Sequence, residues 1–312
     1  MNAGEQAESI RLDVHTHLIP VDHIAAFEGI HWDAAGEKLT LDGHVIGIKD
    51  LFRPQALLRW MDAQRIEKAF ISAPPPVYRP HLDEATTAGW SAAINEGLAA
   101  IAATHPDRWA PLFHLPVEHP ALCADIVRKL GNRFSMATGS AGVTLSDAAY
   151  DPLWTALDAA KAFVLLHPGE GCDPRLDPYY LHNLYGNPVE TGLAVGHLIF
   201  GGVPERYPAI RFCLAHAGGA VGTVAGRWQK GYETARPGLD TAREKPADSV
   251  RRFCVDCIAH DPAVLELAKS VFGPERIVFG SDWPFPMGLL EPHRELAKLD
   301  AGLRRRIFHG KA

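Results

Sequence analysis

The chain has 312 residues, 47% hydrophobic and 22% charged, an ordinary balance for a globular protein with a sizeable core. A formal net charge of −6 without a basic patch argues against nucleic acid as a partner. No apolar run approaches the about 20 residues of a membrane span, so no membrane partner is expected, and the polar, acidic opening MNAGEQAESI does not read as a secretory signal.

Taken in order, IRLDVHTHL (10–18) is the first predicted strand. It leads into a long segment, 19–53, in which KLTLDGHVIGI predicts a hairpin turning on Asp42-Gly43. PQALLRWMDAQRI (54–66) has apolar residues at helical spacing and precedes the strand-like EKAFISAP (67–74). A helix over 89–105 precedes RWAPLFHLPV (108–117). PALCADIVRKLGN precedes SAGVTLS (140–146), and PLWTALDAA precedes KAFVLLHPG (161–169). PVETGLAVGHLIFGGVPERYP precedes AIRFCLAHAGG (209–219). A helix and a polar loop precede VRRFCVDCIA (250–259), and PAVLELAKSVFG precedes RIVFGSDWPF (276–285).

Eight strands alternate with helices, and the strands are continuously apolar, as in a parallel sheet covered on both faces. The expected fold is α/β, a (β/α)₈ TIM barrel formed by residues 1–312 as a single domain. A doubly wound open sheet is the competing arrangement. No linker or internal repeat divides the chain. The 19–53 insertion follows a barrel strand, which places it as a cap on the C-terminal, catalytic face. A second long loop, 168–188, follows strand 5 on the same face.

The five cysteines, Cys123, Cys172, Cys213, Cys254 and Cys257, are odd in number and scattered. That argues against a disulfide framework and predicts the reducing cytoplasm. The Cys254-x-x-Cys257 pair sits in a strand-like run and reads as structural.

Barrel strands aim the side chains at their C-terminal ends into one site. Those ends carry His15 and His17 on strand 1, His167 on strand 5, His216 on strand 6, Asp256 on strand 7 and Asp282 on strand 8. Residues i and i+2 of a strand share a face, so His15 and His17 point together into the barrel mouth. Three imidazoles, His15, His17 and His167, with the Asp282 carboxylate suit one divalent metal with a position left open, a catalytic rather than a closed structural set. Zinc is the expected ion and manganese the alternative. Asp13 shares the facing of His15 and His17 but lies one pleat deeper, as a supporting or core group. His114 and His197 read as structural or surface residues.

The wording DVHTHLIP, MDAQRIEKAFIS, HPDRWAPLFHLPV, LLHPGEG, NPVETGLAVGHLIFGGVPERYPAIRFCLAHAGGA, GRWQ and ERIVFGSDWPFP resembles the metal-dependent amidohydrolase superfamily. The resemblance is to its amidohydrolase-2 group, which includes 2-amino-3-carboxymuconate-6-semialdehyde decarboxylase, and it spans nearly the whole chain. It implies His15, His17, His167 and Asp282 as metal ligands and His216 as the acid or base beside the metal. It also implies Arg227 as an arginine that reaches the substrate carboxylate of a neighbouring subunit, hence a homodimer. The group's anchoring arginine in the strand-1 insertion has no clean counterpart, so His44, Lys49 and Arg53 are candidates for substrate binding. Gly169 stands where the resemblance has a tryptophan after the strand-5 His-Pro, which implies a different pocket wall. GVTLSD, read as strand 4, has no lysine to be carbamylated between two metals, so one metal is expected.

The expected activity is metal-dependent, non-oxidative decarboxylation of an aromatic or unsaturated carboxylic acid, a small-molecule substrate. Hydrolysis of a lactone or amide on the same scaffold is the second reading, because a fold does not by itself fix a function. A barrel that binds metal and ligand without turnover is the third.

Overall fold

The computed structural model describes residues 8–140, 142–169 and 173–310; Cys172 lies outside them. β1 (Ile10–His17) is followed by three short strands, β2 (Ile30–Asp33), β3 (Lys38–Leu41) and β4 (His44–Ile46). Then come β5 (Ile66–Ser72), β6 (Trp109–Pro111), β7 (Phe113–Leu115), β8 (Arg133–Ala137), β9 (Phe163–His167), β10 (Arg211–Leu214) and β11 (Cys254–Val255). Apart from β2–β4, every pairing is parallel, in two sheets ordered β1-β5-β6 and β11-β10-β9-β8-β7. Leu112 joins them: it lies between β6 and β7 and donates its N–H to Ile71 O at 2.8 Å.

Residues 276–285, predicted as the last strand, form two isolated parallel bridges, Val255–Ile277 and Thr16–Trp283, rather than a continuous strand. The segment still hydrogen-bonds on both sides. Val278 N–H donates to Val255 O at 2.9 Å, Val14 N–H to Phe279 O at 3.0 Å, and Asp282 N–H to His15 O at 2.8 Å.

The helices between strands include Pro54–Ala63, Glu84–Thr104, Pro120–Leu130, Asp151–Ala159, Asn187–Phe200, Val221–Glu233 and Pro262–Phe272. Several start with proline in the first turn, where the missing N–H costs nothing. Glu84–Thr104 is capped by Asp83, whose carboxylate accepts the Thr86 N–H at 2.8 Å. The helix Ala301–His309 is an addition to the predicted elements. Its run of three arginines masks Leu303, Ile307 and Phe308, which are buried.

One predicted strand is misplaced. The fourth strand is RFSMA, β8, and residues 142–146 form turn and loop. The helix before it ends at Leu130, Gly131 takes φ +104°, and the chain turns straight into β8. Gly139 (φ +154°) and Gly142 (φ +84°) break extended pairing in the run that looked more β-like. β8 contains no lysine either, so the reason for expecting one metal is unchanged.

Two apolar clusters separate the inside of the strand layer from its outside. Val14, Leu112, Phe163, Leu165, Cys213 and Val278 pack together between strands. The main core lies between strands and helices and holds Trp90, Trp154, Phe134 and Phe272, all fully buried. The registers His17–Ser72, His114–Ser135 and Ala137–His167 carry the inner facing from strand to strand and set polar residues above this inner cluster.

The hairpin turns where expected. β3 and β4 pair antiparallel with Leu41 opposite His44, and Asp42 (φ +49°) and Gly43 (φ +84°) form the two-residue turn. β2 adds a third strand by pairing with β3. Leu39 and Leu41 turn inward, and Arg79, buried after β5, grips Asp42 through two bonds of 2.7 and 2.8 Å and also donates to Glu28 O at 3.0 Å. A bidentate charged pair of this kind fixes position as well as contributing attraction.

Candidate metal centre

His15 and His17 leave the end of β1 on one face, and their rings meet edge to face with centroids 5.0 Å apart. Their Nε2 atoms are 3.0 Å apart. Asp282 Oδ1 lies 3.3 Å from His15 Nε2 and 3.0 Å from His17 Nε2. The His167 ring stands 4.9 Å from that of His15 and 5.1 Å from that of His17. His15, His167, His216 and Asp282 each offer a ligand atom within 4.8 Å of the others. Five of the six residues named at the strand ends are therefore brought together, and the sixth, Asp256, stands behind His15.

The far nitrogen of His15, of His17 and of His167 is engaged. His15 Nδ1 is 2.8 Å from Asp256 Oδ2, His17 Nδ1 is 3.0 Å from Ser72 Oγ, and His167 Nδ1 is 2.8 Å from Pro168 O. Carboxylate and carbonyl oxygens accept, and the Ser72 hydroxyl, which donates to Thr16 O at 3.0 Å, is left to accept from His17, so Nδ1 carries the proton and Nε2 presents its lone pair to the centre; this tautomer assignment follows from the network. His167 Nε2 and Asp282 Oδ1 are buried and find no hydrogen-bond partner among the described residues. Converging, unsatisfied lone pairs in a buried site are costly unless a cation takes them up. The donor set of imidazole nitrogens and one carboxylate therefore fits one divalent metal ion.

Electrostatics agree. Burial alone would push His15 down, but Asp282 and Asp256 outweigh it and hold it up at about 10. Burial lowers His17, and it drives His167 well below the ordinary imidazole range with the His15 and His216 charges adding to it. Burial opposes ionisation of Asp282, yet the charge of His15 and the close approach of His15, His17 and His216 keep its carboxyl well below its usual range. The pocket between Asp256 and Asp282 thus calls for positive charge, whether a proton or a metal ion.

His216 and Asp282 are held in left-handed backbone, φ +57° and φ +60°, conformations that non-glycine residues occupy only when their surroundings impose them. Asp256 imposes the first. Its carboxylate accepts the N–H of His216 (2.9 Å), Ala217 (2.8 Å) and Ile258 (3.1 Å) besides His15. Its role as organiser was not assigned from the sequence, although its place at the end of the seventh strand was the available signal. Asp13 does support from below: Oδ1 accepts the N–H of His15 (3.0 Å) and Ser281 (3.1 Å), while burial raises its carboxyl to about 7.

The remaining sequence-based residues go elsewhere. Arg53 binds Glu37 and approaches Asp50 at 3.6 Å, and Lys49 lies 3.7 Å from Glu37, on the exposed face of the insertion. As candidates for substrate binding they are not brought to the pocket. Another charged partner already occupies each of them, and neither lines the cavity at the centre. His44 does line it. Arg227 is exposed on the helix Val221–Glu233, away from this chain's own centre. His114 is buried and stacks on Tyr78, and His197 is exposed beside Ser146. Cys254 and Cys257 are free thiols.

A metal-binding histidine and aspartate set at the ends of parallel strands defines a metal-dependent α/β enzyme. The amidohydrolase family profile matches residues 12–312, and the chain belongs to that family. It is 27% identical over 304 residues to 2-amino-3-carboxymuconate-6-semialdehyde decarboxylase of Dictyostelium discoideum, covering 91% of this chain and 84% of the relative. It is 27% identical over 289 residues to 6-methylsalicylic acid decarboxylase of Penicillium expansum, covering 88% and 85%. Among solved structures, a 5-carboxyvanillate decarboxylase from Novosphingobium aromaticivorans with bound manganese superposes with a TM-score of 0.80 at 18% identity, covering 98% of this chain and 96% of that one. A dihydroxybenzoic acid decarboxylase from Polaromonas, also with manganese, gives 0.76 at 20% identity, covering 96% and 94%.

Proposed function

We propose that this protein is a metal-dependent, non-oxidative carboxy-lyase that removes CO₂ from an aromatic or unsaturated carboxylic acid. The observation that carries it is the convergence of His15, His17, His167 and Asp282 on one point beside His216. Relatives matched over more than four fifths of their length and named as decarboxylases support the choice of reaction.

His15, His17, His167 and Asp282 are assigned as the residues that hold the ion. Zinc is the ion proposed from three imidazoles and a carboxylate, with manganese, present in two structural neighbours, as the alternative. When bound, the ion supplies Lewis-acid charge against substrate oxygens. His216 Nε2 stands 3.7 Å from Asp282 Oδ2 and faces the cavity. In the proposed reaction it holds the proton delivered to the carbon that loses the carboxylate. The C–C bond breaks, its electron pair enters the new C–H bond, and CO₂ leaves. General acid catalysis of this kind needs the proton held within reach of the atom that receives it.

The same reading includes a closed eight-stranded barrel, supported by the bonds that 277–283 makes to both β1 and β11. It includes the 19–53 segment as the cap, supported by the place of His44 at the cavity, and a homodimer in which Arg227 serves the neighbouring subunit. The exposure of Arg227 away from its own centre fits that last assignment. A reducing, cytoplasmic setting is proposed from the free cysteines. The test is elemental analysis of the purified protein together with a screen of aromatic and muconate-type acids for CO₂ release, with lactones run in parallel for acid release. About one metal per chain and CO₂ formation abolished by chelator are expected. Acid release from lactones alone would replace the carboxy-lyase reading with the hydrolase.

A further inference from the structure

The cavity at the metal centre, of about 550 Å³, has a neighbour of about 730 Å³. Both are lined by His44, Pro75, Pro76 and Gly169, so they are two lobes of one site meeting at those residues. Each lobe alone has the size of a pocket for a drug-sized ligand, and a single-ring acid at the metal leaves the second lobe empty. The walls of the second lobe are Leu41, Ile46, Pro75, Pro76, Tyr78 and Ala137, with Glu118 and the Asp42–Arg79 pair supplying its charged groups. Tyr78 is held flat and rigid, its ring stacked on His114 at 5.0 Å and 20°. Such a wall suits a planar apolar group.

The join is open because residue 169 has no side chain. A Cβ there would lie 3.8 Å from Tyr78 Cδ2, 3.8 Å from the Ala137 methyl and 3.7 Å from Gly139 O. These are ordinary contact distances, and the backbone at Gly169 is outside the left-handed region. A side chain is therefore permitted at this position, and a large one would fill the gap between the lobes.

Resting on the carboxy-lyase reading, we infer that Gly169 sets specificity by opening the metal pocket into the second lobe, and that the substrate is an aromatic carboxylic acid carrying a second ring. The carboxylate end occupies the metal lobe. The second ring passes Gly169 and packs against Tyr78, Pro75 and Pro76.

The test is calorimetric binding of salicylate, 4-phenylsalicylate and 5-phenylsalicylate to the manganese-loaded enzyme, with CO₂ release followed in the same samples. Burial of a phenyl ring predicts at least one phenyl derivative binding about tenfold or more tighter than salicylate. Gly169→Ala should keep that preference, and Gly169→Leu should bring the ratio to about one. Thermal melts of both variants show that they fold, and Gly169→Ala alone still tests the preference if the leucine variant does not. Equal binding of all three acids, no binding of any, or a preference that survives a folded Gly169→Leu overturns the inference. Intact preference with no CO₂ from any acid sinks the carboxy-lyase reading and leaves the two-lobed site standing. CO₂ release without preference does the reverse.

Discussion

Around Asp282, four histidines turn toward one point, and ligand atoms are left without protein partners. On the outer face of the insertion, Glu37 gathers Lys49 and Arg53, and every charge has its opposite in place. Both regions draw polar residues from the first 53 positions, His15 and His17 in one and Glu37, Lys49 and Arg53 in the other, yet they do opposite work. The insertion cluster is satisfied and solvent-exposed, where ion pairs contribute little. The centre is buried and unsatisfied, which is tolerable only if something else completes it. Convergence of unpaired ligand atoms in a buried place, rather than charge as such, marks the functional region.

The sharpest way to break this contrast is to remove the shared ligand. Asp282→Asn should lose bound metal by elemental analysis and reduce CO₂ release to background. Next, His216→Gln should keep the metal and lower kcat by about 10²–10⁴-fold, the usual worth of a positioned proton donor. Retained activity would remove His216 from the proton step. Asp256→Asn should then weaken metal affinity by about 10–100-fold, measured by competition with a chelator, because it frees the His15 ring and the His216 backbone together.

His114 tests burial without convergence. Burial lowers its pKa from 6.5 to about 4. The unfolded chain therefore binds a proton that the folded chain refuses between those values. Stability contributed by the neutral ring is present above about pH 6.5 and is lost on acidification toward pH 4, by up to ~3 kcal/mol. Chemical denaturation of metal-free wild type and His114→Phe across that range should show a shallower pH slope in the variant. The smallest effect belongs to the insertion: Arg53→Ala should leave kcat/KM unchanged within error, and a large fall would return Arg53 to the substrate site.

Strand ends were legible because their chemistry is local. His15-x-His17, His167, His216 and Asp282 each close an apolar run, and period-two alternation puts the first pair on one face. The hairpin at Asp42-Gly43 was legible for the same reason, since its turn residues carry the required backbone. β8 was missed because RFSMA lacks the β-branched signature and is buried by its neighbours, whereas the loop after it has that signature and no partner strand. The Ala301–His309 helix was masked by its arginines.

What the sequence determined by itself was therefore the alternating α/β plan, the family, and the identity of the groups facing the centre. Backbone periodicity and side-chain chemistry are properties of short stretches. Only the tertiary structure decided that Asp256 orients His15, that Arg79 clamps the hairpin, that Lys49 and Arg53 are spent on Glu37, and that Gly169 lies between two lobes. Each of these depends on a contact between residues that are not neighbours in the chain, and such contacts exist only once the parallel strands and the insertion's antiparallel strands have set their registers.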